Sequence, residues 1–124
     1  MTSYALVLLL TAAAVLLYDG LMSVASLHFG FDYASTPGVL GSSLLYAAAG
    51  FLGARVRRRI REGVMAGAFA GLVDSTLGWL LSVLVGIGRE DLEAAPLTVA
   101  VVVVWVTLMG AVFGFVGGIL GRRR

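Results

Sequence analysis

Four long apolar stretches divide the chain and constrain its fold more than any other feature. They cover residues 4–29, 37–54, 63–87 and 96–120. Each is near or above the roughly 20 residues with which a helix crosses about 30 Å of hydrocarbon. Backbone groups inside a bilayer must pair within their own segment, and the alternation typical of barrel strands is missing. We therefore predict an all-α, polytopic membrane protein with four transmembrane helices.

The composition agrees with this class. Of 124 residues, 60% are hydrophobic and 13% are charged, whereas a soluble domain carries about 25% charged residues. The connectors between the apolar stretches are short, so none of them can hold a soluble domain. We expect residues 1–124 to form one transmembrane domain built from two helical hairpins, 4–54 and 63–120.

Side chains that usually hold metals and cofactors are scarce. The chain has no cysteine and one histidine, His28, which excludes disulfides, Cys-based metal or redox sites and His-rich metal sites within one chain. We also find no phosphate-binding loop and no Ser/His/Asp set. The sequence therefore predicts neither a metal nor a cofactor.

The arginines are distributed very unevenly. Eight of the nine basic residues lie in the middle connector or the C-terminal tail, and the ninth, Arg89, lies among acidic residues. We expect the chain to lie in the cytoplasmic (inner) membrane of a bacterium or archaeon, and the positive-inside rule then places both termini in the cytoplasm. Beside a membrane, such arginines are expected to contact anionic lipid headgroups, and no nucleic-acid partner is expected. These topology residues are Arg55, Arg57, Arg58, Arg59, Arg61, Arg122, Arg123 and Arg124.

One order of features occurs twice along the chain. A mid-span aspartate is followed by a proline that opens the next span, then by Gly-Phe-x-Gly and an arginine cluster. The proline-to-glycine spacing is 13 residues in one half and 18 in the other. Each copy has two spans and so keeps one orientation, which predicts a pseudo-two-fold axis along the membrane normal. The alternative is chance recurrence of Gly-rich and Arg-rich helix ends.

Glycines recur at every fourth position in the third and fourth stretches. This spacing puts each set on one side of its helix, where small residues allow close helix contact in lipid. The partner helix can belong to the same chain or to another, and the surplus of small residues favours a homo-oligomer or a larger membrane partner. Trp79 and Trp105 lie well inside their spans and are also expected to pack. The predicted packing glycines are Gly63, Gly67, Gly71, Gly110, Gly114 and Gly118.

Two aspartates near the middle of apolar spans are the main chemical signal. Asp19 and Asp74 lie about 11 to 14 residues from the outer ends of their helices, about 16–21 Å deep. An ionised aspartate at that depth costs about 2.5–3.5 kcal/mol or more. The spans hold no arginine to pair with them, so they must be protonated, share a proton, or meet a cation or water. The predicted polar site comprises Asp19, Asp74, Ser23, Ser75 and Thr76.

Two functions from different classes fit this site. The first is a proton- or cation-linked transporter or channel-like protein in which the aspartates carry the ion. The second is a non-catalytic accessory or scaffold protein. In that case neutral carboxyl groups lock the helix packing, and the glycine stripes bind a larger partner or a second copy.

A short resemblance to the intramembrane aspartyl proteases is also present. Tyr18-Asp19 and Gly71-Leu72-Val73-Asp74 resemble that family's YD and GxGD motifs, which would imply that two aspartates activate a water molecule. Val73 stands where the second motif has its second glycine, and no Pro-Ala-Leu triplet follows. The family also places its two aspartates on antiparallel neighbours, whereas both helices here are predicted to run the same way. We therefore do not expect an enzyme.

Overall fold

The structure is a computed structural model of the chain and describes residues 3–30, 36–86 and 96–123. Four helices account for nearly all of these residues: α1 is Ser3–Phe29, α2 is Thr36–Arg57, α3 is Ile60–Val85 and α4 is Pro96–Arg122. All four are long and apolar enough to cross a membrane. The all-α, four-helix prediction is confirmed. The chain is thus a multi-pass membrane protein in architecture.

The connector between α2 and α3 is shorter than the arginine run indicated. α2 continues through Arg57 and α3 begins at Ile60, so the connector is only Arg58 and Arg59. Arg58 has a φ of 57°, the left-handed conformation with which many helices end. Basic side chains in the last turn of α2 are favourable because they lie at the negative end of the helix dipole. The helices can therefore extend into the arginine run.

The first turns of α1 are held against this connector. The Tyr4 hydroxyl donates a hydrogen bond to the Glu62 carbonyl oxygen (3.0 Å). The Arg57 guanidinium lies 5.4 Å from the centroid of the Tyr4 ring, within range of a cation–π contact. α4 ends nearby, since Gly121 lies against the backbone of Phe51. We call this end of the bundle, which carries residues 55–61 and 122–123, the arginine end.

The four helices do not pack equally. α2, α3 and α4 form a tightly packed trio, whereas α1 packs on α2 and α3 and makes little contact with α4. α1 and α4 therefore lie on opposite sides of the α2–α3 pair. A two-fold axis exchanging the hairpins would map the α2–α3 contact onto an equally close α4–α1 contact. The predicted pseudo-two-fold arrangement is thus wrong for the packing of the described helices, while duplication of the sequence stays a prediction.

Glycines let α4 lie directly on the backbone of its neighbours. A Cβ added to Gly114 would lie 2.6 Å from the Gly63 carbonyl oxygen and 2.8 Å from the Gly67 Cα, closer than any side chain can approach. On its other side, Gly117 lies against the backbone of Ala47 in α2. All six predicted packing glycines lie between α3 and α4 of the same chain: Gly63, Gly67, Gly71, Gly110, Gly114 and Gly118.

Large apolar side chains cover the outside of the bundle. Leu17 is 65% exposed and Leu44 is 71% exposed, and such surfaces are suited to acyl chains because lipid tails are as apolar as leucine. Trp105 is 64% exposed, so the prediction that it packs between helices is wrong. It lies on the side of α4 that faces away from Gly110 and Gly114, whereas Trp79 is partly buried.

Candidate functional site

One face of α1 points into the protein along most of its length. Its buried residues recur at every fourth position over most of that length, a spacing that keeps them on one side of a helix. Asp19 and Ser23 are both 0% exposed. Asp19 is therefore turned toward protein and away from acyl chains. The buried residues of this face are Val7, Thr11, Val15, Asp19, Ser23 and Ser26.

Asp19 meets α3 at Gly78. A Cβ added to Gly78 would collide with the Asp19 Oδ2 atom, so this carboxyl group lies against the α3 backbone. The same Cβ would lie 3.3 Å from Asp74 Oδ1. The two predicted aspartates, one on α1 and one on α3, therefore border the same small space beside Gly78.

A π-helical turn, Asp74–Gly78, interrupts α3 at this point. The Trp79 N–H lies in hydrogen-bond contact with the carbonyl oxygen of Asp74, five residues earlier. Such turns are rare, occur mostly as single insertions in α-helices and are frequent at functional sites. Here the turn begins at one member of the carboxyl pair and ends at the glycine that contacts the other.

Two polar residues that the sequence did not assign to the site complete it. The Tyr46 hydroxyl, from α2, donates a hydrogen bond to Asp74 Oδ2. Ser82, one turn beyond Gly78, shares a hydrogen bond of 2.8 Å with Ser23. The Ser23 hydroxyl also lies 2.7 Å from the Asp19 carbonyl oxygen, to which it donates. The site therefore draws side chains from α1, α2 and α3.

The structure does not bring the hydroxyl groups of Ser75 and Thr76 to the carboxyl pair. Ser75 donates to the carbonyl oxygen of Gly71 (2.9 Å), and Thr76 donates to that of Leu72 (2.6 Å). Both bonds run to the residue four positions earlier, the usual partner of a serine or threonine inside a helix. Of the five predicted site residues, Asp19, Asp74 and Ser23 lie together.

The chemistry open to this site is that of two neighbouring carboxyl groups in an apolar interior. Within residues 3–30, 36–86 and 96–123, no three His, Cys, Asp or Glu side chains are grouped so that they could hold a metal ion. The predicted topology arginines that the structure describes lie at the arginine end, and Arg124 lies outside the described residues. Two like charges this close in a medium of low dielectric repel strongly. The pair is therefore suited to binding a proton or a monovalent cation.

Comparisons with known proteins give no information about the function of this site. No protein family, curated protein or solved structure matches the chain.

Proposed function

We propose that this protein is a small membrane transport protein that moves protons, alone or in exchange for another cation, through the Asp19–Asp74 pair. The observation that carries the proposal is that both carboxyl groups border the space that a side chain at Gly78 would occupy. Two carboxyl groups placed together deep in a bilayer have a large unfavourable energy when ionised. A proton or cation that neutralises them removes that energy, and its release restores it. Such a site can load and unload an ion.

The π turn next to the carboxyl pair supports a role in ion movement. Intramembrane ionisable residues that face the interior of a bundle mark ion pathways in many transporters, and interrupted helices line many of their binding sites. In this chain the interruption and Asp74 coincide. π turns are among the places where helices kink, which makes this turn a place where α3 can bend.

The arginine distribution supports an orientation. Residues 55–61 and the end of α4 lie at one end of the bundle, and we propose that this end faces the cytoplasm of a bacterium or archaeon, with both termini inside. The guanidinium groups there would contact anionic phospholipid headgroups. A homo-oligomer remains compatible with this arrangement.

The scaffold alternative has less support in the geometry. Its main argument was a surplus of glycine stripes for a partner, and the glycines of α3 and α4 pack on each other. Neutral carboxyl groups that only lock helix packing would also explain the buried pair. The two functions differ in whether ions move.

Ion flux into liposomes tests the proposal. Purified protein should carry protons down an imposed gradient, measured with an enclosed pH-sensitive dye under a potassium–valinomycin potential. Asp19→Asn and Asp74→Asn should each reduce the flux about tenfold or more, equivalent to losing about 1.4 kcal/mol of stabilisation on the ion's path. Glu62→Gln makes the same carboxyl-to-amide change at the arginine end and should leave the flux unchanged. Absence of proton or cation flux in the parent protein, or flux in both aspartate variants equal to that of the parent, would falsify the proposal.

A further inference from the structure

A cavity of about 320 Å³ lies between α2 and α4. Its polar side chains come from α2 and α3, and Asp74 borders the cavity on one side and lies near the Asp19 carboxyl group on the other. The opposite wall consists of large apolar and aromatic side chains. The lining residues on which the argument depends are Ser42, Tyr46, Asp74, Trp105, Met109 and Phe113.

The cavity follows from the way α2 and α4 pack. Toward the arginine end the two backbones touch, since a Cβ added to Gly50 would collide with the backbone of Gly114. Away from that end, the larger Val106 and Met109 of α4 line the space between the two helices in place of glycine, and the exposed Trp105 lies at its border. The cavity therefore extends from Asp74 to Gly38 near the start of α2. It occupies the half of the bundle away from the arginines.

The lining favours one class of ligand. A volume of about 320 Å³ falls within the range of small-molecule sites, roughly 300–1,000 Å³. One carboxyl group supplies a negative charge, and aromatic rings attract organic cations through their faces. A bare inorganic cation requires oxygen ligands around it. In this cavity the side-chain oxygen atoms come from α2 and α3, and the opposite wall of Trp105, Met109 and Phe113 offers none. An organic cation with apolar substituents matches both the charge and the wall.

We propose that this cavity binds a hydrophobic, monovalent organic cation, with Asp74 as its counter-ion. The inference rests on the proposed transport function and names the ion that is exchanged for protons. A cation in the cavity and a proton on the carboxyl pair compete for Asp74, because each neutralises the same charge. Binding of the cation therefore releases the proton to water, and return of the proton releases the cation. The chain would exchange one for the other across the membrane.

Equilibrium dialysis of tetraphenylphosphonium against the purified protein in a non-ionic detergent tests the binding. We expect saturable binding that Asp74→Asn weakens about tenfold or more, since a charge contact worth about 1.4 kcal/mol corresponds to tenfold. Neutral triphenylphosphine oxide should bind far more weakly. Equal binding of both probes would show that the cavity takes any apolar molecule, such as a lipid chain, and would overturn the proposal.

A pair of bulky substitutions locates the binding without changing a charge. Met109→Trp fills the cavity and should abolish tetraphenylphosphonium binding. Leu108→Trp adds the same group to the neighbouring residue, which is 57% exposed on the outside, and should bind as the parent does. Size-exclusion chromatography establishes that both variants are folded. If both bind like the parent, or neither does, the cavity is not the site.

Proton flux in the absence of the organic cation separates this inference from the proposed function. If the parent protein carries protons and both aspartate variants do not, while tetraphenylphosphonium neither binds nor alters the flux, only the inference fails. If tetraphenylphosphonium binds through Asp74 but no proton flux or proton release occurs, the binding site stands and the exchange fails. Binding that releases about one proton per cation, measured in weakly buffered solution, supports both.

Discussion

At the scale of single residues, Gly78 controls how closely α1 approaches α3. Without a side chain at this position, the Asp19 carboxyl group can lie against the α3 backbone and next to Asp74. Any larger residue would push α1 outward or turn the carboxyl group away. The distance between the two acids is therefore determined by a residue that has no chemistry of its own.

Gly78→Ala should consequently disrupt the pair. Overpacking of this kind destabilises a core by about 1–3 kcal/mol, and we expect that loss in the free energy of unfolding, measured by titration with sodium dodecyl sulfate. Proton flux should also fall. Gly20→Ala is the matched control, because its added Cβ meets only the Leu81 side chain at 3.4 Å and alanine favours a helix over glycine by up to about 1 kcal/mol. Equal stability of the two variants would contradict this role for Gly78.

The sequence predicts part of the site at this scale. Asp19 and Asp74 are recognisable because acids are rare in apolar spans, and Ser23 because it lies four residues after Asp19. Tyr46 and Ser82 could not be assigned, since their contacts depend on how α2 and α3 pack. Ser75 and Thr76 directly follow Asp74 in the sequence, which predicts them near its carboxyl group. Their hydroxyl groups bond to their own helix instead, as such residues commonly do.

At the scale of elements, the π turn sets the face that the outer part of α3 presents. It contains one residue more than an α-helical turn, so the helix beyond it is rotated by about 100°. Without that rotation, Gly78 and Ser82 would lie on the side of Gly67 and Gly71, which faces α4. With it, they lie on the side of Ala70, which belongs to the same buried cluster as Val15 of α1. In the present sequence, the carboxyl pair thus depends on the rotation that the π turn introduces.

Deletion of one residue tests this account. Deleting Leu77, an exposed residue within the turn, should give a regular α-helix in which Gly78 and Ser82 still face α1. We expect a folded protein whose flux changes, because the backbone around Asp74 is altered. Deleting Met65, an exposed residue of the regular part of α3, moves Gly63 out of line with Gly67 and should prevent folding. Circular dichroism and size-exclusion chromatography distinguish the two results. Equal folding of both deletions would exclude the rotation argument.

The sequence predicts elements well where apolar length decides them. Each predicted span agrees with a helix to within about three residues at its described ends, although residues 87–95 lie outside the described residues. The sequence contains no comparable signal for the π turn. Neither proline nor a pair of glycines occurs between Asp74 and Gly78, and the turn is selected by the contacts that it allows with α1. These contacts lie between different helices, so the local helix propensity of the sequence cannot predict them.

At the scale of the whole molecule, the two ends of the bundle differ. The arginine end is closed where Gly50 and Gly117 bring α2 and α4 together, and the other half contains the cavity beside Asp74. The charge asymmetry of the sequence predicts that the ends are different. The charge asymmetry does not predict the cavity between α2 and α4. The cavity depends on which glycines of α4 face α2 and on where bulky residues replace them.

Single cysteines can report this difference directly, because the chain has no cysteine of its own. Ser42→Cys lines the cavity, and a cationic, membrane-impermeant methanethiosulfonate should modify it from the membrane face opposite the arginines. Arg59→Cys should react only from the arginine side. Leu44→Cys lies two residues from Ser42 but faces outward, and in lipid its thiol stays protonated and unreactive. Mass spectrometry of vesicles labelled from one side measures each reaction.

Tetraphenylphosphonium should slow the labelling of Ser42→Cys alone, since it would occupy the same cavity. Two results would mean that access to Asp74 does not run through this cavity. One is labelling of Ser42→Cys from the arginine side, and the other is a labelling rate of Ser42→Cys no higher than that of Leu44→Cys.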